Sequence, residues 1–167
     1  MTTPTSTRAL LNDHEFLRCV LLSQKEEQSL KEEAIHKGYR FFQVDLADTQ
    51  SSEDLMKRMA GSLNFPRHFG GNWDGFLDMV TDLSWNPAAG YALLVKNADA
   101  LLNLSSDQLA LFVRVCTAAV GRWQSGEDEE GNAIPRTPFY FFLEGPPPFC
   151  RLIADLLTDG APASALS

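Results

Sequence analysis

A small α/β fold, a parallel β-sheet of three to four strands with helices packed on it, is predicted by three features of this sequence. Short apolar or β-branched runs alternate with longer amphipathic stretches between about residues 17 and 158, the rhythm of strand–helix–strand units. The length of 167 residues suits one domain, here taken as residues 10–160. At 44% hydrophobic and 22% charged residues, the chain can bury a core without disulfide or metal staples.

The elements follow in order. Residues 1–9 are rich in Thr, Ser and Pro and read as a disordered tail. Leu17–Ser23 is a short apolar run read as a buried strand, with Ser23 free to cap the helix that follows. That helix spans about 25–37, carries Leu30, Ala34 and Ile35 as its few apolar residues, and stops at Gly38. Tyr39–Leu46 is a strand by aromatic and β-branched content. Strand, helix and strand in so few residues predict a right-handed βαβ unit.

The rhythm then repeats. Ser51 or Ser52 caps a helix over about 53–63, with Leu55, Met56, Met59 and Leu63 at helical spacing. A loop over 64–71 leads into a helix over about 73–83, and Tyr91–Lys96 is a strand. Ser105 or Ser106 starts a helix to about Trp123 with Leu109, Phe112, Val113, Cys116 and Val120 on one stripe. Residues 124–138, with Glu127 to Glu130 and two glycines, read as a mobile acidic loop. Phe139–Leu143 is a strand buried on both faces, and a helix over about 149–158 closes the fold.

Charge and motifs narrow the function. Fourteen Lys and Arg against twenty-two Asp and Glu leave a net charge of -8. This argues against direct contact with nucleic acid or an anionic membrane, and it suits a basic protein partner. No apolar run has the length of a membrane span, and the N-terminal residues lack the apolar core of a signal peptide. Three cysteines, Cys19, Cys116 and Cys150, cannot all pair within one chain and form no CxxC spacing; Cys19 and Cys116 sit in apolar runs and read as buried hydrophobes. A reducing, cytoplasmic location is the expectation. Nucleotide, metalloprotease and hydrolase signatures are missing. His68, Asp74 and Asp78 are metal-ligand types, but one histidine and scattered carboxylates arise readily by chance, so no metal and no cofactor is assigned. A phosphate cradle at Gly70-Gly71-Asn72 is opposed by Asp74 in the first helical turn.

The stretch after Asn72 says most. Trp73, Phe76, Leu77, Val80 and Leu83 form a core-facing stripe, while Asp74, Asp78 and Asp82 recur every four residues on nearly the opposite side. Asn72 suits the N-cap and Asp74 the positive end of the dipole, whereas Asp82 near the C-terminal end gains no such help. Three like charges at this spacing repel one another. A solvated helix face has the same pattern. The neighbouring Phe65-Pro66-Arg67-His68-Phe69-Gly70-Gly71 loop instead sets rings beside fixed charges, as recognition surfaces do; at least one of Phe65 and Phe69 is expected to serve the core.

The run from Phe65 through Asp78, continuing to Asp82-Leu83, resembles the signature of the barstar family, intracellular inhibitors of secreted barnase-type ribonucleases. The resemblance covers about residues 39–145, so that residues 10–38 become an N-terminal strand–helix addition to a barstar-like core. It implies that the loop and the following helix plug a nuclease active site, with Asp74 and Asp78 taking the places of RNA phosphates. His68 then matches an aromatic loop contact, Gly71 a backbone contact beside it, and Leu77 a helix position that is aromatic in the type member. Asn72 and Asp82 complete the expected partner-binding set. The family's further acidic contact falls near Arg114–Val115, where no carboxylate stands. The expectation is therefore a non-enzymatic inhibitor or immunity protein for a basic ribonuclease or related toxin. The alternatives are a non-inhibitory interaction module on the same scaffold, and an enzyme using His68 as a base oriented by Asp74.

Overall fold

The computed structural model describes residues 11, 16–127 and 130–158; the expected N-terminal tail and the acidic residues Asp128 and Glu129 lie outside them. Four strands, β1 (Leu17–Val20), β2 (Arg40–Asp45), β3 (Tyr91–Lys96) and β4 (Phe139–Glu144), form one parallel sheet in the order β1-β4-β3-β2. Among the described residues five helices accompany them: α1 (Gln24–His36), α2 (Ser52–Leu63), α3 (Trp73–Asp82), α4 (Ser106–Ser125) and α5 (Pro147–Thr158). A 3₁₀ segment at Ala98–Asn103, not expected from the sequence, leads from β3 towards α4.

The predicted strand–helix–strand unit at the N-terminus is present, but β1 and β2 are not neighbours. They form the two edges of the sheet, with β4 and β3 between them. Because β1 and β2 are parallel, the 13-residue α1 between them carries the chain back along the strand direction. Chain travel therefore reverses after β2, and crossovers of a single hand then put α1 on one face and the later helices on the other, as the two cores show.

The burial patterns agree with those positions. β3 and β4 are buried at every position but the last, as central strands of a two-sided sheet must be. β2 alternates, with Phe42 and Val44 inward. β1 is half-buried throughout, which corrects the expectation of a buried strand: an edge strand has a neighbour on one side only. One core packs Leu93, Val95, Phe139, Phe141 and Leu143 against α2 to α5. The second core is smaller and packs Ala92, Leu94, Tyr140 and Phe142 against Leu22, Leu30 and Ala34 at α1. Ile35, grouped with the apolar face from sequence, is instead exposed.

Helix ends are set by local chemistry. At α1, Ser23 Oγ accepts from the Glu26 N–H while Glu26 Oε1 accepts from the Ser23 N–H, a reciprocal capping box. Its far end is a Schellman turn: Gly38, at φ +78°, donates to Ile35 O and Tyr39 donates to Ala34 O. The Lys96–Glu27 ion pair at 3.0 Å ties α1 to β3. Where β2 ends, Asp45 Oδ1 accepts from Asn97 Nδ2 and from the Ala47 N–H, which holds its carboxyl below the ordinary carboxylate value. The expected 124–138 loop begins later, since α4 continues through Ser125 to Gly126 at φ +75°. An isolated antiparallel bridge between Glu127 and Ala133 closes the turn. α5 begins at Pro147, two residues ahead of expectation, because proline is tolerated in a first helical turn.

Candidate partner-binding surface

The surface is built on the loop between α2 and α3. α2 ends at Asn64 in the left-handed region, φ 58°, and Phe65 donates back to Ala60 O. Phe69 then donates to Pro66 O, closing a turn that presents Arg67 and His68 to solvent. Phe65 and Phe69 meet edge to face at 5.0 Å, and Phe65 also lies against Phe76 and Trp85. Trp85 is fixed in turn by its indole N–H on Leu63 O. Both loop phenylalanines are therefore half-buried props beneath the loop, and His68 is the ring left exposed beside the acidic stripe.

Gly70 and Gly71 carry the chain to α3. Gly71 has φ +78° with open space around it, so it is the backbone angle that favours glycine here. Asn72 is exposed and caps α3, its Oδ1 accepting from the Gly75 N–H at 2.7 Å. Gly75 was not singled out from sequence, yet the packing requires it. A Cβ there would lie 2.9 Å from Asn72 Oδ1 and 3.3 Å from the Phe69 ring. The available signal was a glycine in the first turn of an otherwise strong helix, a placement that lowers helix propensity unless close approach demands it.

α3 separates the two stripes. Phe76, Met79, Val80 and Leu83 are buried, Met79 joining the set expected from sequence, while Trp73 and Leu77 are half-buried. Trp123 of α4 donates its indole N–H to Val80 O at 2.8 Å, and Trp73 packs edge-on against Phe76 and Phe112. The helix is thus clamped on its inner side. On the outer side Asp74, Asp78 and Asp82 are all exposed, and among the described residues none has an ion-pair partner. Asp82 differs from the other two. Its Oδ1 accepts from the Ser84 N–H at 3.3 Å, just past the helix end, a local use for a carboxylate that the helix dipole does not favour.

The structure thus gathers His68, Gly71, Asn72, Asp74, Leu77, Asp78 and Asp82 on one loop and the helix that follows it. Beside them, a cleft of about 270 Å³ between α2 and the loop is lined by Glu53, Met56, Lys57, Ala60 and Phe69 with the two glycines. Arg114 and Val115, where a further carboxylate would fall, lie on α4, with Val115 buried. Among the described residues, no hydrogen bond joins His68 to Asp74 and no cluster of three or more His, Cys, Asp or Glu suits a metal. No described helix is long and apolar enough to cross a membrane.

Comparison with known proteins gives one informative match. No curated protein matches the chain. Among solved structures, Cdc6p from Pyrobaculum aerophilum is 20% identical with a TM-score of 0.48, over 84% of this chain and 37% of that one. A Walker-type ATPase of Pyrococcus abyssi is 14% identical with a TM-score of 0.41, over 79% of this chain and 49% of that one. The chain thus spans less than half the length of either, and likenesses this weak carry no argument. Residues 39–142, which run from β2 into β4 and include the whole loop and acidic helix, match the family described as Barstar (barnase inhibitor). With more than half of its length in that match, the chain belongs to the barstar family, proteins that act as non-enzymatic inhibitors of a protein partner.

Proposed function

We propose that this protein is an inhibitor or immunity protein that occludes the active site of a basic ribonuclease or related toxin. Contact is made through the 64–72 loop and the acidic face of α3. The observation that carries this reading is the set of exposed aspartates without ion-pair partners among the described residues, on a helix whose other side is locked into the core. Fixed carboxylates on a rigid support can replace substrate phosphates with little ordering cost. Asp74 and Asp78 take that role, Asp82 extends the stripe, and His68 supplies a ring at the loop tip. Gly71 and Asn72 bring the backbone close, and Leu77 fills the space beside the carboxylates. In the barstar–barnase pair, charge steers association and an aspartate is a binding hot spot. For this chain the expectation is the same direction of effect.

Affinity capture with wild type and with the Asp74→Ala/Asp78→Ala variant tests the reading. Wild type should retain a basic nuclease that the variant loses, through dissociation faster by at least about tenfold. Association should slow as salt rises, because exposed charges are screened. Equal retention of the same protein by both baits would refute the surface. A second reading, a non-inhibitory interaction module, draws on Leu77 at an aromatic position and on the missing carboxylate near Arg114–Val115. Loss of ribonuclease activity at a near-equimolar ratio would exclude it.

A further inference from the structure

Two cysteines far apart in sequence meet at the sheet edge, outside the segment that matches the family. Cys19 lies in edge strand β1, paired with Leu143 of β4, and Cys150 lies in the first turn of α5. Their sulfurs are 2.7 Å apart across 131 residues of sequence, and Cys150 Sγ is also 3.5 Å from Gly145 O. Both thiols are free and half-buried, in contrast to Cys116, which is fully buried. A covalent bond of about 2.05 Å needs the two sulfurs to close by only about 0.7 Å.

We propose that Cys19 and Cys150 form a reversible redox clamp that fastens edge strand β1 to helix α5. The oxidant class is a small-molecule disulfide. Cys150 thiolate attacks one sulfur of that disulfide, its S–S bond breaks, and one small thiolate leaves. Cys19 then loses its proton and attacks Cys150 Sγ, forming the protein disulfide and expelling the second small thiolate. The balance is two protein thiols and one small disulfide converted to one protein disulfide and two small thiols. Burial, the Cys150 hydrogen bond and the nearby Glu144 all raise the Cys19 thiol above its ordinary value, so Cys19 stays protonated at the outset and the first attack falls to the other cysteine. The clamp is independent of the proposed role of Asp74 and Asp78.

The test equilibrates the full chain with a series of oxidised-to-reduced glutathione ratios, then alkylates under denaturing conditions for mass spectrometry and peptide mapping. Wild type should pass to a monomer lighter by about 2 Da before alkylation, with Cys116 the one thiol still open and Cys19 linked to Cys150. Closing so long a loop should raise Tm by on the order of 10 °C, reversibly on adding a dithiol. Cys150→Ser and Cys19→Ser should each stop at a glutathione adduct with no rise in Tm. Stable glutathione adducts or linked dimers of wild type at the same ratios would overturn the proposal. A Cys19–Cys150 bond that leaves Tm unchanged would overturn the clamp as well.

Discussion

The smallest feature that shapes the proposed binding surface is a missing side chain. Gly75 donates its N–H to the capping oxygen of Asn72 and lets the Phe69 ring pass beneath the helix start. Gly75→Ala improves intrinsic helix propensity by about 1 kcal/mol, yet the new methyl would sit against both the cap and the ring. The close contact should win. A net loss of about 1–2 kcal/mol is expected, read as a Tm lower by roughly 2–8 °C in thermal unfolding. An unchanged or higher Tm would mean that the loop can shift away freely. Residues of this kind were hard to read from sequence, because the neighbour that matters, Phe69, reaches Gly75 through a turn. The caps were easier: Ser23, Ser51, Asn72 and Ser105 each stand before a helical pattern and each accepts the expected backbone N–H.

At the scale of an element, α3 carries its acidic stripe at a cost in helix stability. Asp74 and Asp78, and Asp78 and Asp82, repel across single turns with no interleaved cation. Asp78→Lys turns both repulsions into attractions and should stabilise the fold by about 0.5–1 kcal/mol. On the proposed function the same change should abolish capture of a basic partner. Denaturation together with capture on one variant therefore separates a binding stripe from a solvated face: a gain in stability with binding intact would identify the latter. The stripe was legible because carboxylates every four residues must share a side of a helix. The use of Asp82 to hold the Ser84 N–H was not, since it depends on how the chain leaves the helix at Leu83, where φ is 49°.

Over the whole molecule, the N-terminal unit is more than an attachment to the matched segment. α1 and the segment leading into it supply Leu22, Leu30 and Ala34, which cover Ala92, Leu94, Tyr140 and Phe142 on one face of the sheet. Removing residues 1–38 would bare two large aromatic side chains, at about 2 kcal/mol or more apiece, and strip β4 of its edge neighbour. The truncated chain should aggregate or elute as a soluble oligomer on size exclusion; a monomer with an unchanged Tm would show that the family segment stands alone. The sheet's central strands were readable from the unbroken apolar runs in β3 and β4. The order of strands was less so, because a strand–helix–strand rhythm does not say which place in the sheet the second strand takes. The meeting of Cys19 with Cys150 follows from that order and has no local signature.

The same strand order sets a schedule for folding. β1 emerges first from the ribosome, but its partner β4 follows more than a hundred residues later, with Leu17 opposite Phe141. β2, β3 and β4 can zip together in the order of their synthesis, whereas β1 must wait, unpaired, until β4 has been made. At about 5–20 residues per second that interval lasts several seconds or more, and non-local parallel pairing is slow in its own right. Of these four strands, the first made is the last to find its place, and until then β4 offers newly made chains an open edge to which a neighbouring copy's β1 could add.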